Sequence, residues 1–283
     1  MRPQVGRGER FRTASWIERG IRRLRGRQAA PAPAALRRMY DLVLTLIPGD
    51  HLVSTLPGGE RVRVSPRHRY LSWNPEEYAA FKAAVRPGAI VFDVGANIGA
   101  YTVLFAQWTG AAGRVVAFEP SPQSIAGLRE QVRLNGVADR VEIVEAAVSR
   151  GPGSAAFDTG GASGTNALVP DAEPGAHVIR VETTSLDAFC AARAMHPSIV
   201  KIDVEGAELD VLRGARDTLA RPDVDAFVEF HPSVWRARGV TRQDIESELG
   251  LQRLTPEPLH PSIDIWNTEG ISVRLRRSQS CGS

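Results

Sequence analysis

Lysine is almost absent from this chain. Lys82 and Lys201 are the only two in 283 residues, so arginine carries the positive charge, an imbalance that reflects genomic composition as much as contacts to phosphate. Cysteine is as rare. Cys190 and Cys281 stand outside any CxxC or Cys/His cluster, which argues against a disulfide framework and a structural zinc site. Cys190 reads as a small apolar filler on a helix. No apolar run approaches the roughly 18 residues of a membrane-crossing helix, the best candidate being residues 42–47. Arginines stand near the start, where a secretory signal needs an apolar core. A reducing, cytoplasmic setting is the expectation. No Walker A lysine follows a glycine loop, which argues against a nucleoside triphosphate.

What is present is the composition of a globular protein, 43% hydrophobic and 24% charged, long enough for one large domain plus an extension. The net charge of +3 is unevenly placed: residues 1–38 hold eleven arginines against Glu9 and Glu18, a net +9, which leaves −6 for the rest. Within that basic extension Trp16, Ile17, Ile21 and Leu24 fall at roughly helical spacing. They describe either a basic amphipathic helix able to rest on an anionic membrane or a solvated tail. Residues 29–35 read as a proline-containing linker. Residues 39–75 read as short strands and turns, with Pro57-Gly58-Gly59 closing a hairpin. From 76 to 283 the pattern is α/β. Helices are expected at about 75–85, 98–108, 122–134, 185–194, 207–219 and 242–249, and parallel strands at 90–94, 114–119, 141–144, 199–204 and 226–230. Segments 154–157 and 177–183 suggest an added hairpin, and two last strands fall in 251–254 and 263–275. Strands separated by helices imply a mostly parallel sheet covered on both faces, with ligands at the strands' carboxyl ends.

The most informative stretch is Val91-Phe92-Asp93-Val94-Gly95-Ala96-Asn97-Ile98-Gly99. It reads as a buried strand ending in an acid, a glycine turn and a helix start. The next strand, Val115-Val116-Ala117-Phe118, ends at Glu119, where a carboxylate can grip a ribose diol. A nicotinamide site needs G-x-G-x-x-G so that pyrophosphate meets several amides. Here the glycines read Gly95-x-x-x-Gly99, and Asp93 beside them repels a diphosphate. It suits a cation, and S-adenosylmethionine carries a sulfonium and an ammonium group.

These blocks, with Ala100-Tyr101-Thr102, Ala117-Phe118-Glu119-Pro120, Ala146-Ala147-Val148-Ser149, Thr184-Ser185-Leu186-Asp187, Lys201-Ile202-Asp203-Val204-Glu205-Gly206-Ala207-Glu208 and Glu229-Phe230-His231-Pro232, resemble the FkbM-type S-adenosylmethionine-dependent methyltransferases. The resemblance spans about 91–231. It implies a Rossmann-like class I methyltransferase fold with a seven-stranded sheet, and methylation of hydroxyl oxygens on sugars, lipids or polyketides. Carried over by position, Gly95, Asn97 and Gly99 would pack under the methionine part of the cofactor, Asp93 near its ammonium, and Tyr101 and Thr102 at its carboxylate. Glu119 would hold the ribose, and Glu145, Ala146 and Ala147 would border the adenine.

An alcohol acceptor must lose its proton as the new bond forms, which calls for a base or a stabilising cation. Asp203 and Glu205 share a side if the fourth strand runs through them, and Glu229 and His231 have the same relation on the fifth. Three readings follow. His231 or Asp203 is the base; or Asp203, Glu229 and His231 hold a divalent metal, magnesium or calcium rather than zinc; or the cluster is structural, with Lys201 neutralising buried acids and Glu205 capping the next helix. The small-residue loop 158–166 reads as a substrate lid. The expected partner is a small molecule, glycan or glycolipid. A nucleic-acid methyltransferase is the rival, but no Asn-Pro-Pro-Tyr-type motif follows the fourth strand, and acids there would repel phosphates. A non-catalytic cofactor-binding scaffold is the other alternative.

Overall fold

The computed structural model describes residues 11–12, 51–160, 167–169, 175, 177–260 and 262–277. The basic helix expected around residues 16–24, the linker, the apolar stretch 42–47, Cys281 and most of the expected lid lie outside the described residues.

The amino-terminal part begins with β1 (Phe11–Arg12), the hairpin β2 (Leu52–Thr55) and β3 (Arg61–Val64), and β4 (Ser72–Trp73), which pairs with β1. The hairpin is fastened to the core by one carboxylate: Glu60 accepts from Tyr78, Lys82 and the Trp108 indole. Helix α1 (Pro75–Ala84) starts where the Asn74 side chain accepts from the amides of Glu76 and Glu77, with proline in the first turn.

The alternating part follows: β5 (Ile90–Val94), α2 (Ala100–Thr109), β6 (Arg114–Phe118), α3 (Pro122–Asn135) and β7 (Val141–Val144). Gly136 ends α3 in a left-handed cap. An inserted four-stranded sheet comprises β8 (Ala147–Val148), β9 (Gly153–Asp158), β10 (Ala167–Leu168) and β11 (Val178–Thr184), with β9 and β11 antiparallel. Then come α4 (Leu186–Arg193), β12 (Ile199–Ile202), α5 (Glu208–Arg213), α6 (Arg216–Leu219), β13 (Asp225–Phe230), α7 (Pro232–Ala237), α8 (Arg242–Leu251), β14 (Leu254–Pro258) and β15 (Ile271–Arg277).

The main sheet has seven strands in the order β14-β15-β13-β12-β5-β6-β7, with β15 antiparallel to both neighbours. The chain winds outward from β5 to β7 and returns beside β5 as β12. That reversal opens a crevice at the carboxyl ends of β5 and β12. Strand alternation fills both faces. Phe92, Val94, Ile202, Val228 and Trp235 pack on one side; Val91, Phe81, Leu104, Phe105 and Phe227 pack on the other. Each such side chain contributes about 1.5–3 kcal/mol by leaving water.

Several elements differ from expectation. The helix expected at 207–219 is two helices that meet at Gly214, where a Cβ would sit 2.1 Å from the Ser149 carbonyl oxygen. Helix α8 runs through Leu251, and the following strand starts at Leu254. The last strand begins only at Ile271, and α7 had no signal beyond its proline. The fourth parallel strand stops at Ile202, before Asp203.

Candidate active site

The β5–β6 end is built on backbone geometry. Gly95 adopts φ +75°, and a Cβ there would lie 1.8 Å from the Asp203 carbonyl oxygen, so the tips of β5 and β12 approach closer than any side chain permits. The amides of Gly95 and Ala96 both donate to the Phe118 carbonyl at 3.0 Å, tying the turn to β6. The Asn97 amide donates to Glu119 Oε2 at 2.8 Å, and the Ser121 amide to Oε1 at 2.9 Å. Burial nevertheless raises the Glu119 carboxyl to about 7, against the pull of those amides and of Lys201. Asp93 is 1% exposed. Its Oδ2 accepts from the Thr102 hydroxyl at 2.6 Å; its Oδ1 makes no hydrogen bond and lies 3.5 Å from Lys201 Nζ. Gly95, Asn97, Glu119, Ala146, Ala147 and, from the inserted sheet, Phe157 and Leu168 line this end of the crevice.

The β12–β13 end is built on side chains. Lys201 is 6% exposed and bridges Asp93 to Asp203, 3.3 Å from Asp203 Oδ2. Burial works against its charge, but Asp203, Asp93, Glu229 and Glu77 hold its pKa above the ordinary lysine value. Beyond Asp203 the chain turns through Glu205 at φ 48° and Gly206 at φ 95°. His231, just past β13, faces that turn. Its Nδ1 lies 2.6 Å from Glu208 Oε1, and its Nε2 is 3.4 Å from Glu205, 3.6 Å from Glu229 and 3.9 Å from Asp203. Glu208 is fully buried and also accepts from the Trp235 indole and the Gly206 amide. Burial alone would lower the His231 pKa; the carboxylates of Glu208, Glu229 and Glu205 push it up to about 11. Glu229 is raised, first by burial and then by the charge of Asp203.

A cleft of about 800 Å³ continues from the turn Gly95–Asn97 toward Glu229 and Gly270, past Tyr70, Asn74, Glu77 and Gln123. Glu77 accepts from the Tyr101 hydroxyl and the Ser272 hydroxyl, each at 2.5 Å, and burial raises it to about 7. Asp203 and Glu205 line both this cleft and the β5–β6 end, so they stand where the two compartments meet.

A profile of the methyltransferase FkbM domain matches residues 93–255, more than half of the chain, and includes the strand tips from Asp93 to His231. The chain belongs to the FkbM methyltransferase family. Among its relatives, the 2-O-methyltransferase NoeI of Sinorhizobium fredii is 29% identical over 153 residues, covering 48% of this chain and 61% of NoeI. The hexuronic acid methyltransferase AglP of Haloferax volcanii is 27% identical over 171 residues, covering 59% of this chain and 64% of AglP. The chain thus spans less than two thirds of either relative. A crystal structure of methyltransferase FkbM from Methylobacillus flagellatus aligns with TM-score 0.45 at 17% identity, over 71% of this chain and 50% of that one.

In this FkbM-family chain the residues named from sequence converge on one crevice, with three rearrangements. Thr102 and Tyr101 were expected at a cofactor carboxylate, yet their hydroxyls are committed to Asp93 and Glu77. Glu145 was expected beside the adenine; it is exposed, pairs with Arg129, and does not line the crevice. Asp203 and Glu205 do not share a strand face, since the strand has ended. A left-handed turn brings both toward His231 instead. Helix capping by Glu205 is likewise replaced, because Glu208 takes the Gly206 amide. Glu77, Ser272, Phe157 and Leu168 were missed. Glu77 read only as a first-turn acid of α1, and the apolar alternation in β9 was the one signal for Phe157.

Proposed function

We propose that this chain binds S-adenosylmethionine across the β5–β6 tips and transfers its methyl group to a hydroxyl of a saccharide or glycolipid. The observation that carries this reading is the Asp93 carboxylate: buried, with one oxygen lacking any hydrogen bond, beside the ribose-sized acid Glu119. That donor set fits a cationic nucleoside and opposes a diphosphate. Asp93 would face the ammonium group, Glu119 the ribose hydroxyls, the turn Gly95–Gly99 the methionine chain, and Ala146, Ala147 and Phe157 the adenine.

When bound, the cofactor supplies an electrophilic methyl on a sulfur that leaves as a neutral thioether. The protein must align the acceptor and remove its proton. Glu229 is suited to receive that proton. It lines the cleft, where its partner is His231, whose Nε2 lies 3.6 Å from Oε1. His231 is a poor base here, because Nδ1 is bonded to Glu208 and Nε2 is surrounded by acids; its part is to hold Asp203, Glu205 and Glu229 together. Lys201 keeps Asp93 and Asp203 apart in charge and in space.

The cleft's predominantly polar lining supports a hydroxyl-rich acceptor over an apolar polyketide, and the hexuronic acid methyltransferase among the relatives points the same way. The acidic floor disfavours nucleic acid. The test is transfer of labelled methyl from S-adenosylmethionine into a cell extract, with mass spectrometry of the product. Label in a glycan or glycolipid is the expected result. Label in RNA, or cofactor binding with no transfer to any pool, would overturn the reading. Peripheral membrane contact through residues 1–38 rests on a segment of which only residues 11–12 are described.

A further inference from the structure

We propose that Asp203, Glu205 and His231 form a binding site for a divalent cation of the hard, oxygen-preferring class, placed where the cofactor and acceptor compartments meet. One ligand atom from each of the three lies within 4.8 Å of the other two. The set differs from the sequence expectation, with Glu205 in place of Glu229.

The imidazole is the decisive member. Its side chain is 7% exposed, and it is clamped from behind: Nδ1 has only the Glu208 carboxylate opposite it, so Nδ1 carries a proton donated to Glu208. Glu208 is itself fixed by the Trp235 indole and the Gly206 amide. A carboxylate behind a histidine sets its tautomer and aims the other nitrogen, which is how metal-binding histidines are oriented. Here Nε2 is aimed at carboxylates 3.4, 3.6 and 3.9 Å away; without an ion those carboxylates hold a second proton on the ring, and a cation would bind by displacing it from Nε2. Two ligands each about 2.1 Å from one ion stand about 3.0–3.4 Å apart, for octahedral and tetrahedral angles respectively. The separation of Nε2 from Glu205 matches that of co-ligands. No arginine or lysine forms an ion pair with Glu205: among the described residues its one ion-pair partner is His231, while Lys201 is paired with Asp93 and Asp203.

Two carboxylates and one imidazole suit manganese, because the carboxylates favour a hard ion and the imidazole disfavours magnesium. On the methyltransferase reading, such an ion would bind the acceptor oxygen and weaken its O–H bond. The proton would go to Glu229 as the oxygen attacks the methyl carbon.

The experiment is a titration of the full chain with Mn²⁺, followed by paramagnetic resonance of the free ion, without cofactor. One bound equivalent is expected. Glu205→Gln and His231→Gln should each weaken it at least tenfold, and Glu229→Gln less than threefold. If His231→Gln does not fold, Glu205→Gln, in a solvent-accessible turn, decides alone. No binding by the unaltered chain, or equal binding by a folded Glu205→Gln chain, would overturn the site. S-adenosylmethionine titrated in excess chelator separates the two claims. Tight cofactor binding without a manganese site sinks only the cation, and a manganese site without cofactor binding sinks only the methyltransferase reading.

Discussion

The two ends of the crevice are made differently. At the β5–β6 end the acids are held by nearby donors: Glu119 by two backbone amides, and Asp93 by the Thr102 hydroxyl in the first turn of α2 as well as by Lys201. At the β12–β13 end the acids face one another, and their order depends on Lys201, His231 and a strained turn at Glu205. The first end holds its acids through the backbone, and the second holds them through one another. On the proposed function, cofactor binding falls mainly to the first end and proton transfer to the second, and substitutions should separate them.

The largest separation is expected from Glu229→Gln. Methyl transfer should fall by about two orders of magnitude or more, with cofactor affinity within twofold by calorimetry. An equal loss of both would erase the division. Gly95→Ala strikes the seam between the ends. A methyl against the Asp203 carbonyl, at a left-handed φ, should destabilise the chain by at least about 2 kcal/mol, read by urea denaturation. Unchanged stability would mean the tips can part freely. Asp93→Ala should weaken S-adenosylmethionine binding at least tenfold, about 1.4 kcal/mol, and wild-type affinity would remove Asp93 from the site.

The pH dependence sharpens the contrast. Burial holds Glu119 near 7, above its ordinary 4.5, so the folded chain binds an extra proton between those values. Its contribution to stability is therefore full below about 4.5 and lost as pH rises through 7. Ribose binding needs the ionised carboxylate, so cofactor affinity should climb from pH 6 to 8 and level off. Glu119→Gln should flatten that climb; a profile that survives the substitution would assign the pH response elsewhere. The smallest effect is expected from Glu145→Ala. Its pair with Arg129 is half-exposed on both sides, so stability should change by less than about 0.5 kcal/mol and cofactor affinity not at all. A tenfold loss of affinity would restore Glu145 to the adenine's edge.

Legibility follows the same divide. The strand, glycine turn and helix start around Asp93 were readable because each signal lies within about ten residues of the next. Glu119 was readable because apolar β6 has to end there. The meeting of Glu77 with Ser272 was not, since 195 residues separate them and neither stands in a motif. Residues 203 and 204 were read as the end of the strand, but the ladder stops at Ile202, where the turn through Glu205 at φ 48° and Gly206 at φ 95° begins.

Sequence alone determined the order of the parallel strands and most of their helices, the glycine turn after β5 and the acids at two strand tips. Apolar periodicity, glycine and helix caps act over short stretches, and the hydrophobic core enforces them. Only the tertiary structure decided which acids share a pocket, which hydroxyls are already engaged, and that the His231 ring is clamped from behind by Glu208. Those facts depend on burial and on contacts between distant segments, where the cost of an unpaired polar group selects the partner.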